Sequence, residues 1–220
     1  MRTGIRIVIG LAVLAGVVSG TGVLAGQQAN AAHAHIGHVM TKFGDTPNNQ
    51  GLLPTAAAEA KTAATHAGLA AKTPDNLDAM KLHAGHVINA IDPTIEPKGP
   101  GMGYGLKKAA AGALQHVGFA SKAEGASKNV MTHAAHVSAS LDNTVKRTDE
   151  ALALAQRIRA STSAAEAAKL VAELNTVTSQ LVAGLDANKD GQIGWQTGEG
   201  GLQQAETHMG LMMKGEGITS

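Results

Sequence analysis

The chain contains no cysteine, which excludes disulfides, thiolate metal sites and covalently attached c-type haem. Aromatic residues make up only 2% of its 220 residues: one Trp, one Tyr and two Phe. A core made mainly from Ala buries less apolar area per residue than usual. Close helix packing on Ala and Gly, or a bound cofactor, has to make up the difference. Charge of one sign is missing too. Eighteen Lys and Arg stand against seventeen Asp and Glu, for a net charge of +1, so nothing marks nucleic acid or an anionic membrane surface as a partner.

Histidine is what the chain does have, and it recurs. Shifting the sequence by about fifty residues lays 101–144 on 51–94 with about thirteen identities in roughly 44 positions, a period typical of helical-hairpin repeats. Thr65-His66-Ala67-Gly68-Leu69-Ala70 falls on Gln115-His116-Val117-Gly118-Phe119-Ala120. His83-Ala84-Gly85-His86-Val87 falls on His133-Ala134-Ala135-His136-Val137, with Asp92 and Thr94 on Asp142 and Thr144. A third set is split between His35-Ile36-Gly37-His38-Val39 near the start and Thr207-His208-Met209-Gly210-Leu211 near the finish. Nine of the ten histidines thus fall into two words, H-x-x-H-V and H-x-G-[L/F].

The first residues have the layout of a secretory signal peptide: Arg2 and Arg6, an apolar run to about Gly26, then Ala29-Asn30-Ala31 as a small-x-small site. The expectation is a signal peptide over 1–31, with a retained anchor as runner-up, and a periplasmic or secreted mature protein over 32–220. No later run is long and apolar enough to span a bilayer, so no membrane is expected as a partner after cleavage. The mature part reads as one all-α domain, a helical bundle built from duplicated His-bearing hairpins.

In the first copy an Ala-rich helix from about Thr55 to Ala71 is broken by Thr73-Pro74-Asp75-Asn76, where Thr73 and Pro74 resemble an N-cap and N1 pair. A second helix continues to about Ile91 and stops at Pro93. His66 lies about seven residues before the turn and His83 about nine after, which sets them at nearly equal heights on antiparallel neighbours. His86 sits one turn beyond His83, on the same face. The residues 97–105 (PKGPGMGYG) read as a linker. In the second copy Gly125 replaces the Thr-Pro turn, and Asp92 and Asp142 read as caps at helix ends. From Val145 to Ala160 a helix without histidine follows, and Glu166 sits in capping-box position behind Ser163 at the start of the next.

Asp186-Ala187-Asn188-Lys189-Asp190-Gly191-Gln192-Ile193 sets oxygen side chains at alternate positions before a glycine and an apolar residue. This stretch resembles the calcium loop of EF-hands, and the resemblance covers that loop and its flanking helices over 164–215 only. It implies calcium ligation by Asp186, Asn188, Asp190 and Gln192. The departure is at position 12, where Thr197 stands for the bidentate Glu. Glu199 substitutes only in a lengthened loop, so any calcium affinity falls toward the weak, extracellular range.

The histidines divide evenly into His66, His83 and His86; His116, His133 and His136; and His35, His38 and His208. Each trio suits copper, zinc or nickel, leaving one coordination position open. Met40, Met80, Met131, Met209 and Met212 stand near them as thioethers or as core filler. The alternative is non-covalent haem b, with His66, His83, His116 and His133 as axial ligands of an electron carrier. An enzyme is not expected: the residues between paired histidines carry no acid to serve as general base, as H-E-x-x-H does. The functional expectation is an exported metal-binding protein for buffering, delivery or sensing, whose partners are metal ions and a redox or metal-delivery protein.

Overall fold

Seven α-helices make up the computed structural model, which describes residues 30–219. The expected signal segment lies outside the described residues as far as residue 29. The order is α1 (Ala31–Met40), α2 (Leu52–Ala71), α3 (Leu77–Ile91), α4 (Leu106–Lys122), α5 (Lys128–Ala160), α6 (Ala164–Ala183) and α7 (Leu202–Gly215). A short 3-10 turn, Pro47–Asn49, precedes α2, and one isolated bridge joins Lys42 and Gln50. The all-α bundle read from the repeats is therefore what the chain forms, with no strand among the described residues. None of the described helices is long and apolar enough to cross a membrane.

Small residues set the packing. On α2 the buried positions Ala56, Ala60, Ala63, Ala67 and Ala70 step by four and three, one stripe of a helix. Ala109, Ala113, Val117 and Ala120 repeat that stripe on α4, which packs beside it. The bulk missing from the aromatics is supplied elsewhere, by Leu141 and Ile158 of α5, Leu174 and Leu181 of α6, and Met209 of α7. At 33 residues and about 50 Å, α5 is the spine, with α3, α4, α6 and α7 packed along it.

The caps explain where the copies agree and where they part. Asn76, not Thr73, starts α3, its side chain accepting the Ala79 amide at 3.0 Å. Thr73 instead closes the end of α2, its hydroxyl donating to the Ala70 carbonyl. Ser127 caps α5 by accepting the Val130 amide, after Gly125 has turned the chain at φ +74°. Ser163 accepts the Glu166 amide at the start of α6. At the far end of α3, Asp92 takes the Thr94 amide and hydroxyl. Asp142 does not play that part. It lies within α5, paired with Lys146 one turn on, because Asn143 stands where the first copy has helix-ending Pro93.

The Gly/Pro stretch between the copies is more than a spacer. Glu59, fully buried in α2, accepts the amides of Met102, Tyr104 and Gly105 at 3.0–3.3 Å. Asn89 adds the Gly101 amide and donates to the Glu96 carbonyl. A second strap mirrors this one with opposite polarity. Arg147 of α5, 7% exposed, donates to the carbonyls of Gly198, Glu199 and Gly200. Asn143 bridges Gln196 and Gly198 beside it.

Candidate metal centre

Each histidine word has a helical reason. H-x-x-H places two imidazoles one turn apart on one face, and α1, α3 and α5 each carry one such pair. The glycine-containing word supplies a single imidazole from α2, α4 and α7. Three pairs meet three singles, forming His35–His38–His116, His66–His83–His86 and His133–His136–His208.

All three clusters converge through the same atom. His116 Nδ1 lies 2.9 Å from His35 Nδ1 and 3.3 Å from His38 Nδ1. His66 Nδ1 lies 3.0 Å from that of His83 and 3.2 Å from that of His86. His208 Nδ1 lies 3.2 Å from that of His133 and 3.4 Å from that of His136. At a metal–nitrogen bond of about 2.05 Å those separations, two in each cluster, subtend about 90° to 110° at an ion, angles that suit a tetrahedral or octahedral site. The three ligand atoms of each cluster all lie within 4.8 Å of one another. Hydrogen bonding does not account for the convergence. A neutral imidazole has one N–H and one in-plane lone pair, so a central Nδ1 facing two others makes one well-directed hydrogen bond and leaves the second poorly satisfied. A cation at the centre satisfies all three.

The electrostatics favour the ligating form. Burial first, then the neighbouring rings, pushes His66, His116 and His208 below the ordinary histidine value. His35, His83 and His136 are lowered in the same way, by burial and then by the paired ring of their own helix. The rings are half-buried, so an ion reaches them from solvent.

The expected membership of the clusters holds for His66, His83 and His86 and is corrected for the other two. His116 joins the α1 pair and not His133 and His136, which take His208 of α7 instead. Equal height across a hairpin is met by His66 and His83, but α4 packs against α1 as well as α5, and His116 faces α1. The thioether expectation also changes. Met80, Met209 and Met212 are fully buried core residues, filling volume between helices.

The surroundings of the clusters differ, and most of them escaped the sequence reading. Both phenylalanines flank the first cluster, with Phe43 5.6 Å and Phe119 5.2 Å from the rings of His38 and His35. The one tryptophan, Trp195, stacks on His136 at 3.9 Å and 20°. Beside His86 lies a charged cleft that includes Arg159 and Glu96. Phe119 was already visible as the variable last letter of its histidine word, whereas Trp195 and Arg159 arrive from distant segments and carried no signal.

The loop from Asp186 to Ile193 is ordered around its side-chain oxygens. Asp186 accepts the amides of Asp190 and Gly191, and Asn188 accepts that of Asp190. Gln192 donates its amide to Asp190. Lys189 and Gly191 adopt φ +62° and +86°. No protein-family model, curated protein or solved structure matches the chain.

Proposed function

We propose that this is an exported transition-metal-holding protein, taking up one copper, zinc or nickel ion at each three-histidine cluster for buffering or delivery. The observation that carries the reading is the threefold convergence of Nδ1 atoms at 2.9–3.4 Å. Imidazole donors without carboxylates select these borderline ions over magnesium or manganese. Open access and an empty fourth ligand position suit exchange with a partner more than permanent structural storage. Haem is the weaker reading, because axial nitrogens must stand on opposite faces of a porphyrin, and nitrogens packed at 3 Å leave no room for one.

The test is elemental analysis and an absorption spectrum of the mature protein, purified without an affinity tag or chelator, followed by titration with zinc and copper. About three ions per chain and no Soret band support the reading. Stoichiometric iron with a Soret band, or no affinity tighter than that of free histidine, would overturn it.

A calcium ion in the 186–199 loop is a second, separate proposal. It rests on the side-chain oxygens of Asp186 and Asn188, which the Asp190 and Gly191 amides hold within the loop. Calorimetry with calcium should give millimolar binding that Asp186→Asn removes. Unchanged heats in that variant would dismiss it.

A further inference from the structure

The three clusters share a donor set but not a neighbourhood. The first faces a largely apolar cleft of about 620 Å³, in which Phe43, Leu52 and Leu114 accompany His116. The third is covered by the Trp195 indole. The second is different: His86 forms part of the wall of a cleft of about 530 Å³ that is lined by Lys81, Lys98 and Arg159, together with Asp78 and Glu96. Three cations face two acids there, and Glu96 is already engaged by the Arg159 guanidinium. A divalent ion at His66, His83 and His86 makes that surplus of positive charge larger still.

One sequence difference places the guanidinium. A Cβ built on Gly85 would stand 3.1 Å from Arg159 Nη1, so the glycine in His83-Ala84-Gly85-His86 lets the arginine lie against the helix between the two ligands. The second copy has Ala135 at this position. In α1 the equivalent Gly37 has only the Thr41 hydroxyl nearby, at 3.6 Å from its built Cβ. The planar fork of arginine matches carboxylate and phosphate oxygens, and a three-histidine metal keeps a position for an outside oxygen ligand. The cleft is larger than a bare phosphate, with room for a small organic or phosphorylated acid.

We propose that the metal at His66, His83 and His86 takes its fourth ligand from an oxyanion, the carboxylate or phosphate group of a small molecule that Lys81, Lys98 and Arg159 hold in this cleft. The inference rests on the metal-binding reading above. It makes this cluster a site for a metal–anion pair, while the other two hold the ion alone.

The experiment uses full-length protein with His116→Ala and His208→Ala, which keeps only the second cluster. It is loaded with cobalt(II) and titrated separately with inorganic phosphate and with acetate. A saturable change in the cobalt visible bands supports the proposal, and the more tightly bound anion names the group. Arg159→Gln should weaken that anion roughly tenfold. The double change Lys81→Gln and Lys98→Gln, at positions outside the core, should weaken it severalfold. Protein keeping only the first cluster, through His83→Ala and His208→Ala, should give no response. Cobalt bound with no anion response, or an equal response in the first-cluster protein, overturns this inference and leaves the metal reading standing. Failure of cobalt to bind any cluster overturns both.

Discussion

His116 Nδ1 stands 2.9 Å from His35 Nδ1, across 81 residues of chain, and serves the helix before its own hairpin in place of the one after it. The single-histidine helices are thus shared out across the bundle: α2 closes a local hairpin with α3, while α4 and α7 tie down α1 and the spine α5. Replacing His116 with Ala should therefore lower metal stoichiometry from three ions to two and loosen α1. Fluorescence of Trp195, at the third cluster, should still respond to metal. Loss of the Trp195 response in His116→Ala would restore the hairpin pairing of His116 with His133 and His136.

The same sharing sets how much each ion stabilises the fold. Metal stabilises by binding the folded chain better than the unfolded one. In the unfolded chain the third histidine of the second cluster is 17 residues from its nearest partner, against 78 and 72 in the others. Closing the longer loops costs about 1 kcal/mol more, so unfolded chains compete less well for those ions. Single-cluster variants of matched affinity should show metal-induced gains in unfolding free energy larger by about 1 kcal/mol for the first and third clusters. Equal gains would mean that the unfolded chain retains histidine pairs regardless of loop length.

The bundle and its nine clustered histidines are legible because duplication repeats the pattern, and because H-x-x-H has one geometric meaning on a helix. The choice of partner for His116 was not. Height along a hairpin follows from residue counts, but the face a helix turns toward each of several neighbours depends on the whole packing. The length of α5 turned on a single substitution, Asn143 for Pro93, whose meaning is plain only beside the repeat. Nothing in the sequence singles out Glu59 or Arg147. Their roles come from loops that return 43 or more residues later with amides or carbonyls to satisfy.

Acid should weaken the metal-free fold before it reaches the carboxylates. His66 and His83 have values lowered by burial and by neighbouring rings. Above about pH 6.5 they are neutral folded or unfolded and contribute nothing to the pH dependence. As pH falls through that value the unfolded chain takes up protons the folded chain refuses, so stability drops. Thermal melts of metal-free protein should show Tm falling from pH 6.5 to 5. The fall should be shallower in the His66→Gln, His83→Gln variant, and an equal slope would show that these rings are as free to protonate folded as unfolded. Zinc should hold Tm level to lower pH, because each bound ion must be displaced by protons first.

Glu59 is the polar residue on which the first strap depends. Its carboxylate takes three backbone amides in an interior position, and removing one side of such a charge-assisted set leaves donors without partners. Glu59→Ala should cost about 2 to 4 kcal/mol in denaturant unfolding, and Glu59→Gln less, since one amide oxygen still accepts. Because Glu96 and Lys98 belong to the same strap, both variants should also disturb the cleft beside His86. A cost below about 0.5 kcal/mol would show that water replaces the carboxylate and that the strap holds itself.

Trp195 gives each of these experiments an internal reporter. Its indole stacks on His136 at 3.9 Å, and it is the only tryptophan in the chain. An ion bound by His133, His136 and His208 lies close to that ring, and a paramagnetic copper(II) ion there should quench its emission strongly, whereas zinc should change intensity only through the orientation of His136. His208→Ala removes one of three ligands and should abolish most of the copper response at one equivalent, while His66→Ala should leave it. Equal quenching in both variants would place the copper away from the third cluster and remove the basis for assigning it one ion of its own.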